Sequence, residues 1–264
     1  MNTLYNKNKH TRDNSITFEE KTHIYTIDGK KGFKSVTRLV HDCFPSFNPD
    51  KVIDKMMNSR NWKKSKYYGK TKEEIKNEWK QNGQLAAKTG TRMHLMIEHF
   101  YNDMEINIDE EDIIDVEIDY FENFHKKEIE NNKFYKLEPY RTEWMVYDKE
   151  LKMAGSIDMT FENEDGSIDI YDWKRSKEIK KTNSWESATT DCIDFMPNAN
   201  FWHYSLQLNV YKKILELKYG KKVTALYLVC LHPDSTYKTY DRINVPILEK
   251  EIGDLFEFRK TQIA

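Results

Sequence analysis

The chain reads as a mixed α/β protein in which helices flank a central β-sheet. Three observations predict this. Residues 152–175, KMAGSIDMTFENEDGSIDIYDWKR, hold two runs rich in β-branched and aromatic side chains around Asn163-Glu164-Asp165-Gly166. Asp-Gly between two such runs is a strong short-range hairpin signal. Apolar residues at helical spacing bracket this hairpin: Met93, Met96, Ile97 and Phe100 before it, and Leu206, Val210, Ile214 and Leu217 after it. Finally, VTALYLVCL at 223–231 is a continuous apolar run of the kind a strand buried on both faces carries.

In chain order, residues 1–15 are polar and expected to be loose. Residues 16–28 look like a hairpin closed by Asp28-Gly29, and Ser35 or Thr37 is placed to cap a short helix. Phe44-Pro45-Ser46-Phe47-Asn48-Pro49 stops that helix. The lysine-rich stretch 50–88, with Val52, Ile53, Met56, Met57, Ile75 and Trp79 as spaced apolars, reads as two or more helices. Gly90-Thr91 then starts a helix to 102. The acidic stretch 102–119 begins as a loop, and Val116, Tyr120, Phe121 and Phe124 suggest a helix towards Glu130. Residues 141–148 alternate like a strand that leads into the hairpin. Residues 177–199 lack periodicity and read as an insertion or flexible loop. The helix over 201–219 ends at Gly220. The strand at 223–231, a last strand at 237–243 and a closing helix at 248–258 complete the chain. The expected organisation is an N-terminal arm with a hairpin over 1–32 and one domain over 33–264. Within that domain, 33–89 is a basic helical subregion, 90–245 the core and 246–264 the closing helix.

With 264 residues the chain is long enough for a large core, and its 13% aromatics separate it from disordered sequences despite 33% charge. The net charge of −2 does not announce a nucleic-acid binder, but its distribution is uneven. Lys51, Lys55, Arg60, Lys63, Lys64, Lys66, Lys70 and Lys72 crowd one region among Trp62, Tyr67 and Tyr68. Such a region either guides a single strand by phosphate contacts and stacking or is simply a solvated helical face. Cys43, Cys192 and Cys230 are far apart and form no CxxC pair, which argues against a zinc ribbon or an iron–sulfur cluster and fits a reducing, intracellular setting. No apolar run is long enough to span a bilayer, and the first residues carry no targeting pattern.

The chemistry sits on the hairpin. Asp158 lies within its first strand; Asp172 and Lys174, two apart on the second, share a face. A carboxylate beside an ammonium can be a plain ion pair. Two aspartates on one sheet face repel unless a cation lies between them, and oxygen ligands suit Mg²⁺ or Mn²⁺. His94 and Glu98 stand i, i+4 on the first helix, as do Gln207 and Tyr211 on the second. Glu143 lies on the preceding strand, where a cross-strand ion pair is its ordinary alternative. Each feature has a commonplace explanation; their joint occurrence in this order is much rarer.

The set G-T-x-x-H-x-x-x-E (Gly90 to Glu98), G-S-I-D (Gly155 to Asp158), D-W-K (Asp172 to Lys174) and Q-x-x-x-Y (Gln207 to Tyr211) resembles the PD-(D/E)XK nuclease superfamily. Within it the chain looks like the RecB-type branch that includes the mitochondrial genome maintenance exonuclease. Ser35-Val36-Thr37, and Trp79 with Ala86-Ala87, are similar to that group too, and the likeness spans roughly residues 33–245. It implies a restriction-endonuclease-like core and a metal-dependent deoxyribonuclease, an exonuclease on single-stranded DNA or DNA ends. Asp158, Asp172 and Lys174 would be catalytic. Asp158, Asp172, His94, Glu98 and the Trp173 carbonyl would hold Mg²⁺ or Mn²⁺, and Gln207, Tyr211, Thr37 and Glu143 would position DNA. Members that carry a four-cysteine iron–sulfur clip are set apart, because this chain lacks those cysteines. A structure-specific endonuclease or ribonuclease on the same site, or a binding module without catalysis, are the alternatives.

Overall fold

A computed structural model describes residues 3–105, 114–132 and 135–263. Its centre is a mixed six-stranded sheet flanked by helices. Strands β4 (Leu137–Asp148), β5 (Met153–Asn163) and β6 (Ile168–Lys174) form an antiparallel meander. The turn between β5 and β6 is the expected one: Gly166 donates its N–H to the Asn163 carbonyl at 2.9 Å and adopts φ +77°, a conformation that glycine reaches without a Cβ penalty. Helix α6 (Asn200–Lys218) then carries the chain over the sheet to β7 (Val223–Cys230), parallel to β6, and β8 (Asp241–Asn244) pairs antiparallel with β7.

The sheet is buried on both sides, which is why β6 and β7 are apolar in succession. Ile168 and Ile170 pack with Leu206, Val210 and Ile214 of α6, whereas Tyr171 and Trp173 pack with Phe121 and Phe124 of α5 (Asp115–Phe124) and with Met93 and Ile97. The closing helix is α7 (Glu249–Ile263), longer than the periodicity implied.

Strand β5 has an interrupted edge. One edge is occupied along its length by β4. The other pairs with the two-residue β3 (Lys34–Ser35) at Met153 and Ala154, and with β6 from Met159 to Glu162. Residues 155–158 between them face no strand on that edge among the described residues. The strand pair also changes face here. Ile157 and Trp144 point to the α6 side, while Met159 belongs to the opposite cluster and Thr142 accepts a hydrogen bond from Asn102 at 2.8 Å. The switch falls on Glu143, a non-glycine at φ +44° within a strand, and on Asp158 opposite it.

Several expectations are corrected. The N-terminal residues are not loose. Helix α1 (Thr3–Lys7) buries Leu4, and Asp13 forms a buried ion pair with Arg141 of β4 at 2.8 Å while accepting from the Trp144 indole at 3.2 Å. The first hairpin, β1 (Ile16–Glu19) with β2 (Ile24–Ile27), turns at residues 20–23. Asp28-Gly29 instead forms a second tight turn, in which Ile27 and Lys30 exchange backbone hydrogen bonds at 2.9 Å. Ser35 rather than Thr37 caps α2 (Val36–His41), accepting from the Arg38 N–H at 3.1 Å. Helix α4 (Lys72–Tyr101) is one element of 30 residues and does not begin at Gly90. A Thr71–Glu74 capping box opens it, with the Glu74 carboxylate accepting from the Thr71 N–H at 2.7 Å. Strong helix formers around Gly83 and Gly90 then offset roughly 1 kcal/mol of propensity lost at each glycine. Residues 177–199 are tied down: Ser187 bridges Pro197, Asn183 donates to the Asn198 carbonyl at 2.7 Å, and Ile193 and Met196 are buried. Part of the acidic stretch expected to be a loop, residues 106–113, lies outside the described residues.

The chain divides into two units: residues 1–45 with 93–264, and residues 46–92. The first contains the N-terminal hairpin and the sheet. The second has its own small packing set. Asn48 caps α3 (Pro49–Met57), Ile53 and Ile75 are fully buried, and the Trp79 indole donates to the Tyr67 hydroxyl at 2.8 Å. Lys51, Lys55, Arg60, Lys63, Lys64, Lys66, Lys70 and Lys72 are all exposed on it.

Candidate metal centre

Three side chains converge beside the open edge of β5. His94 Nδ1 lies 3.6 Å from Asp158 Oδ2 and 3.8 Å from Glu143 Oε1. One ligand atom from each of His94, Glu143 and Asp158 falls within 4.8 Å of the other two. Their supports are specific. Asp158 Oδ2 accepts the Trp173 backbone N–H at 3.0 Å, bonding across the edge that β6 leaves open. Glu143 Oε2 accepts from the Ser156 hydroxyl at 2.9 Å. His94 Nε2 lies 3.0 Å from the Trp173 carbonyl, which can only accept, so Nε2 carries the hydrogen.

That bond decides the chemistry of the other nitrogen. With Nε2 protonated, a neutral His94 turns a bare Nδ1 lone pair towards two carboxylates, and three electron-rich atoms close together need a cation among them. Without a metal, a proton serves. Burial opposes charge on His94, but Asp158 and Glu143 outweigh it and raise its pKa to about 9. A divalent ion does the same with more charge. The donor set of one imidazole nitrogen and two carboxylates, with the ring oriented by a backbone carbonyl, fits Mn²⁺ or Mg²⁺, and the nitrogen makes Mn²⁺ the better match.

Asp172 and Lys174 stand next to this group, where the sequence put them on one face. Lys174 Nζ is ion-paired with Asp172 Oδ2 and sits 4.7 Å from the centre of the Tyr204 ring. Asp172 is 2% exposed. Burial pushes its carboxyl up to about 6, resisted by Lys174 and assisted by the charge on Asp158. Burial acts against the Lys174 ammonium, yet Asp172 and Asp158 hold its pKa above the ordinary lysine value. Lys174 therefore keeps its proton near neutrality and offers positive charge rather than basicity.

The remaining sequence-derived residues divide. Thr37, Gln207 and Tyr211 line one cavity of about 520 Å³ together with His94, Asp158 and Lys174. Glu143, expected to position DNA, instead belongs to the group that could hold a metal, and Asp172, expected to be a ligand, faces Lys174. The Trp173 carbonyl, expected to help bind the ion, accepts from His94. Glu98 is half-buried one helical turn beyond His94 and lies outside the converging set. The glycine of G-S-I-D has a spatial reason: a Cβ on Gly155 would lie 2.7 Å from both Cε1 and the hydroxyl oxygen of Tyr211.

The same cavity holds Tyr25, His41, Ser156, Asn200, His203 and Tyr204, which sequence reasoning did not single out. Four of its residues form a stripe on α6: Asn200, Tyr204, Gln207 and Tyr211 recur every three or four positions, a signal that helical spacing contains. Tyr25 carries no such signal, because it comes from β2, far upstream in the chain.

No family profile matches the sequence, and no curated protein matches it either. Among solved structures, the one titled "Crystal structure of SSO0001" is similar at 17% identity over 87% of this chain and 75% of that one, with a TM-score of 0.34, too low to bear on function.

Proposed function

We propose that this protein is a divalent-metal-dependent nuclease that hydrolyses phosphodiester bonds in DNA, acting as an exonuclease on single strands or ends. One observation carries the reading: His94, Glu143 and Asp158 converge, with the imidazole oriented by the Trp173 carbonyl, and His94 and Asp158 share a cavity of about 520 Å³ with Lys174. In that reading His94, Glu143 and Asp158 hold the ion. When bound, such an ion lowers the pKa of a water and neutralises charge on the scissile phosphate. Lys174, steered by Asp172 and Tyr204, points its charge at the phosphate oxygens as negative charge builds on them. Gln207 and Thr37 offer polar groups to the sugar–phosphate backbone from two walls of the cavity. The exposed lysines and aromatics of residues 46–92 are suited to phosphate contact and base stacking, which favours a single strand as substrate.

End-labelled single- and double-stranded DNA incubated with Mg²⁺, Mn²⁺ or chelator tests this directly. Metal-dependent shortening from an end is expected, with circular single strands resistant, and Asp158→Asn and Lys174→Ala should both abolish it. Cleavage that persists in chelator, or full activity in either variant, would refute the mechanism. Cutting of circular DNA or of RNA would redirect the reading to an endonuclease or ribonuclease on the same site.

A further inference from the structure

We infer that Tyr25, from the N-terminal β1–β2 hairpin, is a substrate-binding residue of this site and donates its phenolic hydrogen to a phosphate oxygen of the bound strand. The inference rests on the nuclease reading and adds a residue from the segment expected to be a separate arm.

Tyr25 lines the cavity that holds His94, Asp158 and Lys174 and is 7% exposed. Its ring is fixed from several sides. It packs at a tilt against Phe18, its cross-strand partner, with centroids 4.5 Å apart, and lies in a cluster with Ile16, Ile27, Tyr147 and Ala154. The Asp28 N–H closes the base of the hairpin on the Ser15 carbonyl at 2.8 Å, and the hairpin meets the central sheet through Tyr147 and Ala154 and through Lys149, just after β4, which reaches Asp28 at 2.5 Å. A tyrosine held this way spends little side-chain entropy on binding.

A phenol, with an ordinary pKa of about 10, is a hydrogen-bond donor throughout the working range. Tyr211, on the facing helix, is buried and lines the same cavity. Lys174 supplies positive charge from the sheet. A phosphodiester drawn to the His94–Glu143–Asp158 group would meet Lys174 from β6 and Tyr25 from β2, two donors from different elements on an anion that carries acceptors only. Such two-sided hydrogen bonding orients a phosphate for attack in a way that a single cation does not.

Tyr25→Phe isolates the hydroxyl, because it keeps the ring and its packing. Three measurements on the full chain are compared with wild type: kcat/KM for a single-stranded oligonucleotide, Kd for the same oligonucleotide in Ca²⁺ by fluorescence anisotropy, and Kd for Mn²⁺ alone by calorimetry. We expect kcat/KM to fall at least roughly tenfold and oligonucleotide Kd to weaken about fivefold or more, as for loss of a hydrogen bond to a charged group, with Mn²⁺ affinity within twofold. Unchanged kcat/KM and oligonucleotide Kd would overturn the inference. So would a loss of Mn²⁺ affinity that matches the loss of activity, since Tyr25 would then act on the ligand carboxylates. If wild type binds the oligonucleotide but never cleaves it, the nuclease reading falls while the anisotropy pair still decides Tyr25. If wild type binds no oligonucleotide, both fall.

Discussion

Gly155→Ala probes the most tightly defined contact at the site. The backbone of Gly155 is in an ordinary strand conformation, so alanine meets no torsional barrier and would gain a few tenths of a kcal/mol from the unfolded chain. The obstacle is spatial. The new Cβ would lie 2.7 Å from Tyr211 Cε1 and the hydroxyl oxygen, and 3.1 Å from Cζ, well inside van der Waals contact. Tyr211 is 2% exposed and borne on a helix whose neighbours Leu206, Leu208, Val210, Ile214 and Leu215 are all buried, so the ring has little room to retreat. Overpacking of this kind costs about 1–3 kcal/mol. A central value of about 2 kcal/mol corresponds to a fall in Tm of roughly 4–8 °C for a chain of this size. Calorimetry or thermal circular dichroism measures it, and the double variant Gly155→Ala/Tyr211→Leu should recover most of the loss, because the shorter side chain vacates the collision. A single variant as stable as wild type, or a double variant that merely adds two penalties, would show that the glycine is not there to admit the tyrosine.

Mn²⁺ binding should release close to one proton from His94 at pH 7, since a pKa of about 9 leaves its imidazole charged there. Apparent affinity should rise about tenfold per pH unit between pH 6 and 8, and calorimetry in two buffers of different ionisation enthalpy reads the proton count. In the metal-free protein the same raised pKa stabilises the fold fully below the unfolded value near 6.5, and this contribution fades as pH climbs through 9. Lys174→Met should destabilise by about 3 kcal/mol, as it strands the buried Asp172 carboxylate. Because burial lifts the Asp172 pKa above its unfolded value, that loss should deepen as pH rises past 6, and Asp172→Asn in the same chain should relieve it in urea titrations. Asp13→Ala should cost about 3 kcal/mol by leaving Arg141, itself 3% exposed, with the Asn8 carbonyl but no carboxylate; an unaffected urea midpoint would argue that the N-terminal segment is dispensable to the sheet.

Much of the arrangement was legible beforehand, and for identifiable reasons. The β5–β6 hairpin and the α6 crossover to β7 were readable because the information is local: Asn163 to Gly166 can do little but turn, and an alternating or 3.6-residue apolar rhythm reports which side an element buries. The proximity of Asp158, Asp172 and Lys174 followed from the same logic, since a tight hairpin pairs residues by counting back from its turn. Local signals also misled. Gly90 marked a helix start only because flanking residues could not show that α4 was already under way from Thr71. The polar composition of residues 1–15 concealed Asp13, whose partner Arg141 lies beyond any local window.

What the sequence determined by itself, then, was the order of elements, the faces they bury and the residues that share a strand or a helix, because each depends on periodicity within one stretch of chain. What only the tertiary structure decided was how these elements meet. The open edge of β5 lets Asp158 bond to Trp173, the left-handed Glu143 turns its carboxylate towards His94, the Trp173 carbonyl claims the far nitrogen of that histidine, and β2 brings Tyr25 to the same cavity. Each of these rests on contacts between segments far apart in sequence, where packing selects one geometry among many that residue spacing alone would permit.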